Sequence, residues 1–246
     1  MHSLVKSRFK IAVFLVSASL LALPVASPSV AAIPQCGTRG PYLDGFYQFP
    51  STSYEGVHAR ITAQWGYVCD TDTDPASNFT NAWSMISDNN GYKWAQSGVE
   101  RGYNTGLRHF SQIVRNDFDD WTRYGSYISE GENHGYWQQY DPGGSCLLSN
   151  VDLTTLTHTC GWFDPKASGE WPQPFGVQYF GEAAYQESDI PGYVGTQTDI
   201  SGLQVQRSSD HQYIATPCFL AYLNQNTLGR WANQAYSCTH FNIWTN

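Results

Sequence analysis

Two segments of the chain carry polar side chains of types that could hydrolyse an amide bond. The first spans residues 94–100 and contains Gln96, and the second spans residues 175–182 and contains Gln178 and Glu182. Successive side chains of a β-strand point to opposite faces of a sheet, so Gln178 and Glu182 share a face if their segment is a strand. An amide and a carboxylate can then line the same sheet surface.

A carboxyl and an amide have complementary roles in amide hydrolysis. Aromatic walls around Glu182 would raise the pKa of its carboxyl by desolvation, and the carboxylate could take a proton from water and return it to the leaving amine. The neutral amide of Gln96 could donate to the oxyanion without competing for protons. Such a pair predicts an acidic pH optimum. The alternative is that both are ordinary polar residues on the outer face of a sheet.

The first segment and the residues before it resemble the eqolisins, the secreted glutamic peptidases. In that family an Ala-Trp strand is followed at similar spacing by a strand carrying Gln-x-Gly-Val, and here the matching residues are Ala82-Trp83 and Gln96-Ser97-Gly98-Val99. The match covers about residues 81–101, and residues 119–124 correspond to an aromatic-rich segment that follows the glutamine in the family. A similar pattern occurs in uncharacterised secreted bacterial proteins and, less closely, in the neprosin-type peptidases.

The resemblance implies a β-sandwich with a catalytic glutamine and glutamate, and it leaves two positions open for the glutamate. Glu182 follows Gln96 by 86 residues and Gln178 follows it by 82, and both separations fit the family. With Glu182 in that position, the chain is a glutamic-type endopeptidase with Gln96 and Glu182 as catalytic pair and Trp83, Trp94 and Gln178 at the substrate. With Gln178 there, the glutamate has been replaced and no peptidase activity is expected. We favour Glu182, the only carboxylate on that strand face. No cofactor or metal is implied.

A noncatalytic carbohydrate- or surface-binding protein is the alternative function, with a polysaccharide in place of a polypeptide partner. The chain has nine tryptophans, whose rings could stack on sugars. The candidates for such a platform are Trp94, Trp137, Gln138, Gln139 and Trp171. A glycosidase would need two carboxylates near the scissile bond, and Glu100 and Glu182 could reach one face.

Strand patterns dominate the segments that must position these residues. Apolar and polar residues alternate over residues 57–65, which is the period-2 pattern of a half-buried strand, and residues 175–182 and 231–244 are also strand-like. Clusters of Gly, Pro, Asn and Asp separate such runs, and no long amphipathic helix stands out. We expect an all-β fold, a two-sheet antiparallel sandwich of the jelly-roll or concanavalin-like type, over residues 56–246. An extended arm should precede it over residues 33–55.

Six cysteines indicate that disulfide bonds stabilise this domain. An even count in an exported chain allows 15 connectivities, and the simplest of them pairs sequence neighbours. The predicted bonds are Cys36–Cys69, Cys146–Cys160 and Cys218–Cys238. Metal binding is the less favoured interpretation, because the chain has no CxxC pair.

The first 32 residues have the features of a secretory signal peptide. Basic residues precede an apolar run over residues 11–26, and Val30-Ala31-Ala32 is a small-residue cleavage site; an uncleaved N-terminal anchor is the alternative. Without this segment, which holds three basic and no acidic groups, the formal net charge changes from −8 to −11. That charge disfavours a nucleic-acid partner. We therefore expect a secreted protein with no membrane contact after cleavage, of unspecified oligomeric state.

Overall fold

A computed structural model describes residues 36–51, 53–69, 78–116, 119–167, 169–171, 175–218 and 221–246. These residues form β-strands joined by turns and loops, and they contain no helix. The strands are β1 (Tyr42–Ser51), β2 (Tyr54–Thr62), β3 (Phe79–Ser87), β4 (Trp94–Gly102), β5 (Leu107–Asn116), β6 (Asp119–Tyr127), β7 (Asn133–Asp141), β8 (Cys146–Val151), β9 (Thr154–His158), β10 (Phe175–Ala183), β11 (Gly192–Tyr193), β12 (Thr196–Arg207), β13 (Tyr213–Ala215), β14 (Ala221–Asn224), β15 (Trp231–Ser237) and β16 (His240–Thr245).

The strands build two sheets. The seven-stranded sheet has the order β14-β1-β10-β3-β4-β5-β6, and the nine-stranded sheet has the order β15-β16-β11-β12-β2-β7-β8-β9, with β13 paired to β12. The pairings are antiparallel apart from the short parallel contact between β11 and β16. The expected all-β, antiparallel two-sheet sandwich is therefore confirmed, with this one parallel contact as the exception.

Alternating side chains explain why the two sheets stack. On β3 and β10, Ala82, Ile86, Val177 and Tyr179 are buried in the main core, which Val57 and other apolar residues of the nine-stranded sheet complete. Burial of these apolar surfaces supplies the main driving force for stacking, at about 25 cal/mol per Å². The alternate residues of the two strands, such as Trp83 on β3 and Phe180 on β10, point to the opposite face of the seven-stranded sheet, so the core fixes which residues face outward.

The strand-like segments of the sequence correspond to β2, β10 and the hairpin of β15 and β16. The predicted arm over residues 33–55 includes β1, which is hydrogen-bonded to β10 on one edge and to β14 on the other. The predicted signal peptide lies outside the described residues. Within the described residues, no helix has the length and apolar character needed to cross a membrane.

All three predicted disulfide bonds are present, Cys36–Cys69, Cys146–Cys160 and Cys218–Cys238. The loops that they close span 33, 14 and 20 residues. Each loop closure typically adds about 2–4 kcal/mol to the free energy of unfolding by restricting the unfolded chain. The neighbour-pairing prediction is confirmed, and the six cysteines are not available as metal ligands.

Candidate active site

The outward face of the seven-stranded sheet carries the predicted site residues in three rows that cross the strands. The strand register aligns Gln178, Met85, Gln96 and Gln112 in the first row, on β10, β3, β4 and β5 in turn. Two residues further along each strand, the second row consists of Phe180, Trp83, Gly98 and Phe110, and the third of Glu182, Asn81, Glu100 and Arg108. A mainly aromatic row thus separates two polar rows.

These rows form the floor of a cleft with a volume of about 490 Å³. Trp83, Met85, Phe110 and Phe180 are buried in a second apolar cluster, separate from the main core, and Trp94 packs against it. The cleft lining includes all five residues that the sequence predicts for the site, which are Trp83, Trp94, Gln96, Gln178 and Glu182. The cleft is therefore a walled depression that combines an apolar floor with a few polar groups, as small-molecule and peptide sites usually do.

Glu182 is a buried carboxyl held by the cleft floor. Its side chain is only 8% exposed, and its Oε2 accepts a hydrogen bond of 2.6 Å from the indole Nε1 of Trp83. Burial raises the pKa of Glu182 to about 7, while the hydrogen bonds from Trp83 and Asn81 lower it and the charge of Glu100 raises it further. A carboxyl whose pKa is near neutral can both accept and return a proton at physiological pH.

Gln96 is the amide of the first row, and it is also nearly buried, at 7% exposure. Its Nε2 donates to Oε1 of Gln112 over 2.7 Å. Strands β3 and β4 approach each other closely at Gly98. A Cβ added to Gly98 would lie only 1.9 Å from the backbone oxygen of Ala82. Glycine at position 98 therefore permits the approach that brings Trp83 and Gln96 onto one floor.

Glu100 is a second carboxyl on the floor, across Asn81 from Glu182. Arg108 forms an ion pair with Glu100 at 2.8 Å, and the guanidinium of Arg108 also lies 3.4 Å from the ring centroid of Tyr124. Burial raises the pKa of Glu100, and the hydrogen bond and charge of Arg108 oppose that shift. The arginine thus compensates the charge of Glu100, whereas the floor gives Glu182 neutral hydrogen-bond donors.

Gln96 and Glu182 lie diagonally across the aromatic row. On a flat sheet, two strand spacings of about 4.8 Å and four residues of about 3.4 Å place their Cα atoms about 17 Å apart. Side chains of a strand stand roughly perpendicular to the sheet, and Nε2 of Gln96 is directed to Gln112 on β5, so the aromatic row separates the amide from the carboxyl. Gln178, and not Glu182, faces Gln96 in the same row, across Met85. On register alone Gln178 is the counterpart of Gln96, and the case for Glu182 depends on its burial and raised pKa.

Several site residues were missed by the sequence reasoning. Asn81, Arg108 and Gln112 all line or support the floor, but only the register of four strands brings them to Glu182 and Gln96. Alternation of side chains along β3 could have indicated Asn81, which shares a face with Trp83.

The residues expected to form a sugar platform do not form one surface. Trp94 lies in the cleft, but Gln138 and Trp171 are buried, at 0% and 3% exposure. Trp137 stacks on His58, on the other sheet. No group of three His, Cys, Asp or Glu residues in the described part of the chain is arranged to hold a metal ion.

Comparisons with known proteins show the fold of this chain. No family model and no curated protein matches the sequence. Among solved structures, scytalido-glutamic peptidase with a transition state analog inhibitor matches with a TM-score of 0.56 and 12% identity, over 85% of this chain and 100% of that one. SCP-B, a member of the eqolisin family of peptidases in complex with the tripeptide Ala-Ile-His, matches with a TM-score of 0.52 and 13% identity over the same shares. A family 16 endo-glucanase from Bacteroides ovatus matches with a TM-score of 0.34 and 12% identity, over 63% of this chain and 73% of that one. The chain therefore has the eqolisin-like fold.

Proposed function

We propose that the chain is a secreted endopeptidase of the glutamic type, with Glu182 as general base and acid and Gln96 as oxyanion donor. The setting of Glu182 is the observation that carries the proposal. It is a carboxyl with a pKa of about 7, fixed by an indole N–H on the floor of a cleft that also contains Gln96. The fold shared with two glutamic peptidases along their whole length supports the same function.

The proposed reaction begins with Glu182 ionised and a water molecule between it and the substrate. Trp83 holds Oε2 of Glu182, and in the proposed step Oε1 takes a proton from that water as the water oxygen attacks the carbonyl carbon. The C=O π bond opens, and the electron pair moves to the carbonyl oxygen, to which the amide of Gln96 donates a hydrogen bond. The C–N bond then breaks as Glu182 returns its proton to the leaving nitrogen, which yields a carboxylic acid and an amine.

The raised pKa of Glu182 changes the expected pH range. Its carboxyl is mostly ionised above about pH 7, and the ionised fraction falls about tenfold for each pH unit below that. A base mechanism therefore predicts highest activity near or above neutral pH, in place of the acidic optimum expected from the sequence. An acidic optimum would instead require protonated Glu182 to act first as an acid.

Cleavage of a denatured protein tests the proposal. The chain, purified after export into an oxidising compartment, is incubated with a reduced and alkylated protein between pH 3 and pH 9, and new termini are identified by mass spectrometry. We expect cleavage by the wild type, a loss of about 10³-fold or more for Glu182→Gln, and a loss of about 10²–10³-fold for Gln96→Met. Asp44→Asn is the matched control, because Asp44 is also a buried carboxyl with a raised pKa but does not line the cleft.

Two results would overturn the peptidase proposal. One is full activity of Glu182→Gln, and the other is no cleavage by the wild type at any pH in that range. The alternative function is a noncatalytic carbohydrate- or surface-binding protein, for which Trp94 and Tyr124 in the cleft lining could supply stacking rings. Retention of the chain on xylan or laminarin without hydrolysis of polysaccharide or protein would favour that alternative. Hydrolysis of the polysaccharide would instead indicate a glycosidase using Glu100 and Glu182.

A further inference from the structure

Three side chains from neighbouring strands meet at Gln112 of β5, beside the amide of Gln96. Oε1 of Gln112 accepts hydrogen bonds from Nε2 of Gln96 over 2.7 Å and from the indole Nε1 of Trp94 over 3.2 Å. Nε2 of Gln112 donates to Oδ2 of Asp120 over 2.8 Å, and the other carboxylate oxygen of Asp120 accepts from Thr122. The contacts run from β6, at the edge of the sheet, to the cleft floor.

The chemistry of these partners fixes the direction in which Gln112 points. An indole N–H can only donate, so Trp94 requires the oxygen of the Gln112 amide on its side. An ionised carboxylate can only accept, so Asp120 requires the nitrogen of the same amide on the opposite side. The two requirements are independent, and they select the same orientation of Gln112. An amide that could otherwise rotate by 180° has one favourable orientation here.

The orientation of Gln112 in turn determines that of Gln96. Because Gln112 presents an oxygen, Gln96 must offer an N–H to it, and its own oxygen cannot occupy that position without an acceptor–acceptor contact. We infer that Gln112, held by Asp120 and Trp94, is a positioning residue that sets which atoms of Gln96 face the substrate. Those atoms are the second N–H and Oε1 of Gln96. The inference rests on the proposed function of Gln96, although the orientation itself does not.

Loss of this positioning should slow the reaction more than it weakens binding. A misplaced catalytic group can cost about 10²-fold in rate even when the substrate still binds. Gln112→Met keeps the length of the side chain and removes both its donor and its acceptor. We expect this variant to lower kcat by about 10–100-fold and to change KM by less than about threefold.

Nuclear magnetic resonance relaxation of the Gln96 side-chain amide tests the inference without any substrate. Its ¹⁵N resonance is assigned by its loss in Gln96→Glu. In the wild type we expect an order parameter near that of rigid backbone, about 0.85, and in Gln112→Met a value below about 0.6. Gln178→Met is the matched control, because Gln178 lies in the same row but donates to Ser87. It should leave the order parameter of Gln96 unchanged.

The two readouts separate failure of this inference from failure of the proposed function. An unchanged order parameter of Gln96 in Gln112→Met would overturn the inference, whatever the activity. A lower order parameter with unchanged kcat would overturn the positioning role. A wild type that cleaves nothing would reject the peptidase proposal, and with it the catalytic part of the inference, while the relaxation measurement still decides whether Gln112 orients Gln96.

Discussion

The buried carboxyl of Glu182 should make the protein less stable as the pH rises, and Glu182→Gln should remove that effect. The pKa of Glu182 is about 7 in the folded chain against 4.5 for an ordinary glutamate. A difference of about 2.5 pKa units corresponds to about 3 kcal/mol, since each unit is about 1.4 kcal/mol. Because the folded-state pKa is raised, this contribution to stability is fully present below pH 4.5 and is lost as the pH rises through 7.

Urea denaturation of wild type and Glu182→Gln measures this effect, with tryptophan fluorescence as the signal at several pH values from 4.5 to 8.5. The amide of a glutamine still offers an oxygen to Trp83 and does not titrate. We expect the free energy of unfolding of the variant, relative to wild type, to rise by about 3 kcal/mol from pH 4.5 to pH 8.5. Taking the difference cancels the other titrating groups that both proteins share.

Asp44→Asn provides the control for this experiment. Burial raises the pKa of Asp44 from 3.8 to about 6, so its effect should develop between those values and be complete by about pH 7. The effect of Glu182→Gln should begin near pH 4.5 and continue to develop up to about pH 7, beyond the pH at which that of Asp44→Asn levels off. A stability difference for Glu182→Gln that does not vary with pH would refute the reasoning, because it would mean that water solvates the carboxyl as well in the cleft as in the unfolded chain.

Three further predictions concern the scaffold. Burial lowers the pKa of His58 to about 4 from 6.5, so wild type should lose stability as the pH falls through that interval; urea denaturation should show that His58→Phe removes up to about 3 kcal/mol of the loss. Gly98→Ala should lower the free energy of unfolding by about 2–4 kcal/mol, because the new Cβ would lie 1.9 Å from the backbone oxygen of Ala82. A melting temperature equal to that of wild type would contradict this. Replacing Cys218 and Cys238 by alanine opens a 20-residue loop and should cost about 3 kcal/mol, measured by thermal unfolding without reductant. An unchanged melting temperature would mean that this disulfide bond does not restrict the unfolded chain.

The sandwich and its disulfide bonds could be predicted because they depend on local pattern. Alternating polarity along β2 and β10 specifies which face is buried, and it needs no information from distant segments. The neighbour pairing of cysteines needed only the sequence order. The position of β1 could not be read in this way, because its pairing with β10 joins segments more than 120 residues apart.

The composition of the site was predictable, but its arrangement was not. Alternation placed Gln96 and Glu182 each on a strand face, and both line the cleft. Whether Gln178 or Glu182 lies level with Gln96 depends on the register of β10, β3 and β4, which is set by the fit of side chains across the strands. That register aligns Gln178 with Gln96. It also places Gln112 beside Gln96, within hydrogen-bonding distance of its side-chain amide.

The burial of Trp171 and Gln138 shows the same limit of sequence reasoning. The residue type of a tryptophan or glutamine does not show whether its side chain faces the core or a ligand. The packing of the second sheet decides which of the two it faces. Gln138 is buried between the sheets, where its side chain contacts Ser84 and Ser97. Of the residues predicted to form a sugar platform, Trp94 lines the cleft, whereas Gln138 and Trp171 are buried and cannot contact a sugar.

The pH dependence of kcat/KM for peptide cleavage tests the central claim most directly, because it links the reaction to one carboxyl. For wild type we predict a profile that rises about tenfold per pH unit below pH 7 and levels off above it, with the inflection at the pH where the unfolding measurements locate the titration of Glu182. Glu182→Gln should lack both the activity and the inflection. A wild-type profile without an inflection near pH 7, or one that Glu182→Gln reproduces, would contradict the account.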